Sequence, residues 1–370
     1  MRVIYFYVSN GACSPDNIIP WSDKIETQNH YAKNIWTEGP FKLLDNLAQK
    51  GIIDEQLVFI DSTRNPGFYQ ITQKSKVYVV PHLSEALNYI RPGDVIYARG
   101  GFKPWIDTLQ TLTNNKHWIM FYRANTNRGR WPYWDIILDD LVDANYNVGG
   151  RLGYAFRKPI NEDLFYNKNS REKIYDVMVG ASHIHIKKGQ HLTIQGLLKY
   201  KEMFGKSLSI VLPGSFIKSY TNKSILDVIA SKELVLNYIG MIDRRQLAST
   251  MNLTRLFLHL GPGGQNDRGV LEAMCCNTPA IVASKRYSPF IYNNPEYGKL
   301  ITCQNDPRET ATTIAETLTK IKNGGYKNVS EYYLKNNGME QEAVPRMIKL
   351  LDFIKANPIP DREKLLKEFL

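Results

Sequence analysis

Gly261-Pro-Gly-Gly-Gln-Asn-Asp-Arg-Gly-Val-Leu-Glu-Ala-Met-Cys-Cys-Asn-Thr-Pro-Ala-Ile-Val282 reads as an ordered series of local structures. A glycine-rich loop opens it, a short helix carrying one acid (Glu272) follows, Asn277 stops the helix, and a buried strand begins at Ala280. A loop that empties into a helix N-terminus presents N–H groups with no intrahelical partner and a partial positive charge, which together suit a phosphate. A carboxylate about a turn into that helix can accept hydrogen bonds from hydroxyls such as those of a ribose. A phosphate cradle beside a hydroxyl acceptor suggests a nucleotide or a sugar nucleotide. Taken alone, the segment also fits a tight strand-to-helix turn with a solvated Glu.

On either side of this stretch the chain alternates β-rich runs with amphipathic segments. In the first half the pattern predicts strands over Val3–Val8, Gln56–Ile60, Lys76–Val80, Asp94–Ala98 and Trp118–Arg123, with helices over Asn29–Lys50, Leu83–Ile90 and Lys103–Thr113. In the second half it predicts strands over Ile174–Val179, Ser207–Leu212, Leu234–Tyr238, Thr254–Leu258, Ala280–Ala283 and Gly298–Ile301. Helical spacing falls on His191–Phe204, Ile225–Ser231, Arg244–Met251 and Pro307–Lys322. Two successive βαβα runs imply an α/β fold: two Rossmann-like domains with mainly parallel sheets facing across a cleft, ligands lying at the carboxyl ends of the strands. The expected division is 1–165 for an N-terminal domain, 166–345 for a second domain, and 346–370 for C-terminal helices packing back on the first.

The chain has 370 residues, 43% hydrophobic and 22% charged, as expected of a soluble globular protein of two domains. No apolar run is long enough to span a bilayer, and Met1-Arg-Val-Ile-Tyr-Phe-Tyr-Val8 fits a first strand better than a signal peptide. Cys13, Cys275, Cys276 and Cys303 show no metal-ligand spacing, so a reduced, cytoplasmic chain is expected. The formal charge of +11 favours an anionic partner: nucleotide phosphates, an anionic membrane surface met peripherally, or nucleic acid.

Several ordered pieces of the second half resemble the donor-binding domain of GT-B glycosyltransferases of the GT4-like group (glycosyltransferase group 1). Lys158-Pro-Ile-Asn-Glu-Asp-Leu-Phe165 resembles that family's interdomain segment, and Tyr175–Ser182 followed by Lys188-Gly189 resembles its first strand and the Lys-Gly pair after it. Ser209-Ile-Val-Leu-Pro-Gly214 and Asn237-Tyr-Ile-Gly-Met241 are similar to the strands and turns that face the nucleotide. Leu271-Glu-Ala-Met-Cys-Cys-Asn-Thr-Pro-Ala-Ile-Val282 matches the element around the second acid of the family's paired-acid motif.

The resemblance implies that Glu272 binds the donor ribose, that Lys188 faces the donor diphosphate, and that Gly261, Gly263 and Gly264 form the loop beside it. Gly264 stands where the family's first acid is expected; Asp267 or Gln265 can supply a replacement group, and Asp267 equally suits plain helix capping. Arg268, Ser182 and His183 are candidates for the family's missing arginine. Gly214, Gly240, Met241, Val270 and Leu271 are expected to line the nucleotide, and Gly11, in the loop after the first strand, to approach it from the first domain. Arg99-Gly-Gly-Phe102 and Tyr122–Trp131 are further candidates for the cleft. No metal site is expected.

These readings converge on a transferase that moves a sugar from a UDP- or GDP-sugar co-substrate to the hydroxyl of a glycan, lipid-linked or protein-linked acceptor. Retention of configuration and metal independence are what the resemblance implies. Two alternatives stand beside it: a glycosyltransferase that modifies DNA bases, prompted by the charge, and a non-catalytic relic that binds sugar nucleotides or glycans, prompted by Gly264.

Overall fold

A computed structural model describes residues 1–7, 35–61, 67–99, 116–122, 134–140, 142, 144–168, 172–180, 183–184, 188–216, 223–261, 268–283, 298–300 and 306–370. They form two compact units, Met1–Asn161 with Met339–Leu370, and Glu162–Gly338.

The first unit is built on one sheet. Its described strands are β1 (Val3–Tyr7), β2 (Gln56–Asp61), β3 (Gly67–Gln70), β4 (Ser75–Val80), β5 (Val95–Arg99), β6 (Ile119–Tyr122), β7 (Ile136–Asp139), β8 (Tyr146–Asn147) and β9 (Leu152–Ala155). Their spatial order is β3-β4-β2-β1-β5-β6-β7-β9-β8. All pairs are parallel except the two edges, where β3 pairs with β4 and β8 with β9 antiparallel. β1 is Val-Ile-Tyr-Phe-Tyr and buried throughout, as a central parallel strand covered on both faces must be. On one face lie α1 (Gly39–Gln49) and, from the end of the chain, helices over Val344–Ala356 and Arg362–Phe369; Leu44, Leu350, Leu365 and Phe369 share a core with Tyr5 and Trp118. The indole Nε1 of Trp118 donates to Asn357 O at 2.6 Å, and Asn145 Nδ2 donates to Phe369 O at 3.0 Å.

The second unit carries β10 (Tyr175–Val179), β11 (His183–Ile184), β12 (Ile210–Pro213), β13 (Ser215–Phe216), β14 (Leu236–Gly240), β15 (Thr254–His259), β16 (Ala280–Val282) and β17 (Gly298–Leu300). Six of them form a parallel sheet in the order β14-β12-β10-β15-β16-β17; β11 and β13 pair separately. The connections include α2 (Gln190–Phe204), α3 (Lys223–Ser231), α4 (Arg244–Asn252), α5 (Arg268–Cys275), α6 (Pro307–Lys322) and α7 (Val329–Asn337); the two helices that close the chain in the first unit are α8 (Val344–Ala356) and α9 (Arg362–Phe369). Starting at the centre and stepping outward in both directions, this order is that of a doubly wound sheet, whose carboxyl edge is the place for a ligand.

The predicted strands are all present, most displaced by one to three residues at an end. The expected helix over Leu83–Ile90 is a 3-10 helix, Leu83–Tyr89. Of the helix expected over Asn29–Lys50, residues 29–34 lie outside the described residues, Ile35–Thr37 is a 3-10 turn, and an α-helix covers Gly39–Gln49. Pro40 suits the first turn of this helix, where its fixed φ fits and its missing N–H has no intrahelical bond to lose. The helix expected over Lys103–Thr113 lies outside the described residues. Strands β7 and β9 escaped prediction because each is only four residues long and hemmed by polar sequence.

Candidate functional site

The carboxyl edge of the second sheet is assembled from separate loops. After β15 the chain passes through Leu260 to Gly261, and there it meets the start of α2. The residue preceding α2, Gly189, takes the left-handed conformation at φ 72° and ψ 12°. A Cβ on it would fall 2.2 Å from Leu260 O and 2.6 Å from Gly261 N. Only glycine fits both the dihedral and the approach. Lys188 is half-buried immediately before it. Lys188-Gly189 and Gly261, 73 residues apart in sequence, are thus brought to one corner.

Beside it, Gly214 N donates to Gly240 O at 2.7 Å, joining the turns after β12 and β14. Gly240 adopts φ 67°, and the half-buried Met241 follows it. The rings of Phe216 and Tyr238 meet here at 5.4 Å. The chain then enters α4 through a capping box: Gln246 N donates to Asp243 Oδ1 at 2.8 Å, and Asp243 N donates to Gln246 Oε1 at 2.9 Å. This cap fixes Arg244 as the first residue of the helix.

Arg244 reaches Glu272. Its Nη2 stands 2.6 Å from Glu272 Oε1, and its guanidinium lies 4.9 Å from the centre of the Phe165 ring. One turn before Glu272 on α5, Arg268 Nε stands 3.2 Å from the same Oε1. The Glu272 side chain is only 2% exposed. Its Oε2 takes no hydrogen bond among the described residues. A carboxylate so deeply buried needs its charge matched, and the two guanidiniums supply that match. The arrangement fixes one carboxylate oxygen and leaves the other to accept hydroxyl hydrogens.

The remainder of α5 is core. Val270 and Leu271 are buried, so at these positions the main-chain N–H groups of the first turn are what a ligand could use. Cys275 and Cys276 are both fully buried, and burial pushes the Cys276 thiol up to about 12. The helix stops at Asn277, whose φ of 56° is left-handed and whose N–H returns to Met274 O at 2.9 Å. Gly263, Gly264, Gln265, Asp267, Ser182 and Gly11 lie outside the described residues, as does the side chain of His183.

In the first unit Arg99 Nη1 pairs with Glu38 Oε2 at 2.7 Å, and its guanidinium lies 5.3 Å from the centre of the Tyr7 ring. Tyr122 is buried, its hydroxyl 3.4 Å from Asp140 Oδ2, which also meets Lys158 Nζ at 2.9 Å. Residues 100–102 and 123–131 of the two candidate loops lie outside the described residues. Among the described residues no three His, Cys, Asp or Glu side chains gather in a metal-binding arrangement, and no helix is long and apolar enough to cross a membrane.

The sequence reading missed Arg244. Its signal was legible: Asp243-x-x-Gln246 is a capping box, and a cation in the first turn of a helix opposes the helix dipole unless an acid elsewhere holds it.

No family model matches the chain. It is 25% identical over 204 residues to a probable sucrose-phosphate synthase of Thermosipho melanesiensis, a match spanning 53% of this chain and 47% of the relative; the chain thus spans about half the length of that relative. Among solved structures it is similar to a sucrose-phosphate synthase of Thermosynechococcus elongatus, with a TM-score of 0.62 at 13% identity over 96% of this chain and 99% of that one. HepE of Anabaena in complex with UDP and glucose gives 0.63 at 13% identity, over 96% and 100% of the two chains. A trehalose-6-phosphate protein of E. coli bound with UDP-2-fluoro glucose gives 0.58 at 10% identity, over 100% and 99%.

Proposed function

We propose that this chain, which has the GT-B fold of two Rossmann-like domains with mainly parallel sheets, is a glycosyltransferase that takes its sugar from a nucleotide-sugar donor. The observation that carries the reading is Glu272. A buried carboxylate at the carboxyl edge of a doubly wound sheet, with Oε1 held by Arg244 and Arg268, is built to accept hydroxyls at Oε2. A donor ribose supplies them.

The diphosphate belongs at the corner where Lys188-Gly189 meets Gly261, at the N-terminus of α2. Lys188 and Arg268 offer fixed positive charge where the leaving diphosphate gains negative charge, and such preorganised charge lowers the barrier most when water is excluded. That supply of cations supports transfer without a metal. Retention, with the donor phosphate assisting removal of the acceptor proton, follows from the GT4-like resemblance. So does a hexosyl donor.

The acceptor is a sugar or other hydroxyl compound. A sugar phosphate is favoured by the sucrose-phosphate synthase likeness, together with the net charge of +11.

The test is a thermal-shift panel of UDP-, GDP- and ADP-sugars on the whole chain, followed by transfer assays with sugar and sugar-phosphate acceptors. A donor that raises the melting temperature and is consumed only with an acceptor supports the reading, because ligand binding to the folded state is stabilising. No response from any donor sinks it.

A further inference from the structure

We propose that Arg99, set by Glu38 and Tyr7 at the carboxyl edge of the first sheet, binds the phosphate of a sugar-phosphate acceptor and so selects it over the bare sugar. The inference rests on the transferase reading above and names a residue of the first unit for its acceptor.

Sheet topology makes the place. From β1 the chain steps to β2 on one side, then returns to β5 on the other, so the strand order reverses between β1 and β5. In doubly wound sheets the crevice for a ligand opens at that reversal, outside the carboxyl ends of the strands. β1 ends on Tyr7, β5 on Arg99 and β6 on Tyr122, and these three residues pair in register. Arg99 is the cation of that row.

The guanidinium is held on two sides. Its Nη1 donates to Glu38 Oε2 at 2.7 Å, and Tyr7 lies 5.3 Å away, ring centre to guanidinium carbon. The edge formed by Nε and Nη2 makes no hydrogen bond among the described residues. The side chain is only 19% exposed, and donors so far withdrawn from water call for acceptors. Two parallel donors at a fixed spacing match two oxygens on one atom, as a phosphate has, whereas a sugar carries its hydroxyls on separate carbons.

Tyr97 supplies a second observation. It stands two residues before Arg99 on the same face of the sheet and is fully buried, and its hydroxyl has no hydrogen-bond partner among the described residues. Burial raises its pKa well above 10, against a lowering by nearby Arg99, so at neutral pH the phenol keeps its proton. An oxyanion on Arg99, directly or through one water, gives this hydroxyl the acceptor it lacks.

The test uses the whole chain with the best-stabilising nucleoside diphosphate among UDP, GDP and ADP bound. Glucose 6-phosphate and fructose 6-phosphate are compared with glucose, fructose and glucuronate by calorimetry and ligand-observed NMR. At least one hexose phosphate should bind about tenfold tighter than its parent sugar, the size of one charge-assisted hydrogen bond. Arg99→Lys should abolish that advantage and leave the parent sugar unchanged. Lysine keeps a charge opposite Glu38, which protects folding, but it loses the fork. Glu38→Gln keeps the shape and removes a competing anion, so hexose phosphates should bind as well or tighter.

A phosphate advantage that is absent from the unaltered chain, or that survives in Arg99→Lys, overturns the proposal while a donor-induced rise in melting temperature leaves the donor reading standing. Tighter binding of glucuronate than of either hexose phosphate overturns the assignment to phosphate. If Glu38→Gln weakens sugars and sugar phosphates in proportion, the ion pair merely holds α1 on the sheet and the proposal falls. If no donor or nucleoside diphosphate binds at all, the donor reading fails and takes this inference with it.

Discussion

Gly189 lies so close to Leu260 that a methyl group on it would overlap the Leu260 carbonyl, at 2.2 Å from its oxygen. This contact seats Lys188 beside Gly261, and it predicts the behaviour of Gly189→Ala. The substitution meets a left-handed dihedral and a backbone clash together, so urea denaturation should show a loss of about 2–4 kcal/mol. Donor affinity should fall as well, because relieving the clash pushes Lys188-Gly189 away from Gly261. Unchanged donor affinity in a folded Gly189→Ala variant would mean that the corner has no part in binding.

Glu272 is predicted to matter twice. Glu272→Ala leaves Arg244 and Arg268 facing a buried gap and should cost about 3–5 kcal/mol in stability. Glu272→Gln retains shape and one carbonyl oxygen, so it should fold with a smaller loss. Its transfer rate should still drop by about a hundredfold, since an amide oxygen is a weaker acceptor for ribose hydroxyls than a carboxylate. A Gln variant that transfers at the full rate would reduce Glu272 to a structural ion pair.

Lys188 calls for a different signature. It is half-buried at the end of a loop, so Lys188→Ala should cost about 1 kcal/mol in stability. The turnover number should fall by about a hundredfold, with Lys188→Arg recovering part of it. Steady-state kinetics with saturating donor decides the matter: a change confined to KM would place Lys188 in ground-state binding, not at the departing diphosphate.

The fold was legible because hydrophobic runs such as Val3–Tyr7 and residues 256–258 of β15 are buried outright and punctuated by polar sequence. Glu272 was legible because a single acid follows a glycine loop in a helix that is otherwise core. Arg244 was harder, since its partner lies 28 residues away and only the three-dimensional course of α4 and α5 joins them. The same limit hid the Gly189–Leu260 approach. Glycine tolerance shows in sequence as a residue type, but the neighbour that demands it does not. Short strands such as β7 and β9 owe their state to parallel pairing, in which Ile137 faces Gly153, and no local periodicity encodes that.

Lys173 gives a pH prediction on the opposite edge of the second sheet. Burial, offset in part by Cys276, lowers its pKa from 10.5 to about 8, and its Nζ lies 3.5 Å from Thr278 Oγ1. Between about 8 and 10.5 the unfolded chain therefore binds more protons here than the native one. The lysine's contribution to stability is unfavourable below that window and is relieved as pH rises through it. Lys173→Met should be the more stable protein at pH 7, by about 1–2 kcal/mol once partial solvent exposure is discounted. The advantage should shrink toward pH 10. Urea midpoints at pH 7, 9 and 10 test this; a constant gap would place the lysine in water.

Asp135 and Arg362 make the converse case in the first unit. Arg362 Nε donates to Asp135 Oδ1 at 2.7 Å, and Ile119 N donates to Oδ2 at 2.9 Å, at a carboxylate that is 4% exposed. Burial raises the Asp135 pKa above 3.8, and the bonds from Arg362 and Ile119 oppose the rise. The folded carboxyl thus holds its proton to higher pH than the unfolded one, so its stabilising share is present in acid and lost as pH climbs past 3.8 through the raised value. Arg362→Ala removes the principal opposing charge and extends that window upward. The variant should be nearly as stable as the unaltered chain around pH 4, yet weaker by about 2 kcal/mol at pH 7, where a buried charged Asp135 has lost its partner. Arg151 gives back a little of this, because it is freed from a like-charged neighbour. Since Leu365 and Phe369 tie α9 into the same core, the deficit should appear as earlier unfolding of the first unit in amide hydrogen exchange. A deficit that stays the same from pH 4 to pH 7 would show that the guanidinium stabilises α9 by packing and not by its charge.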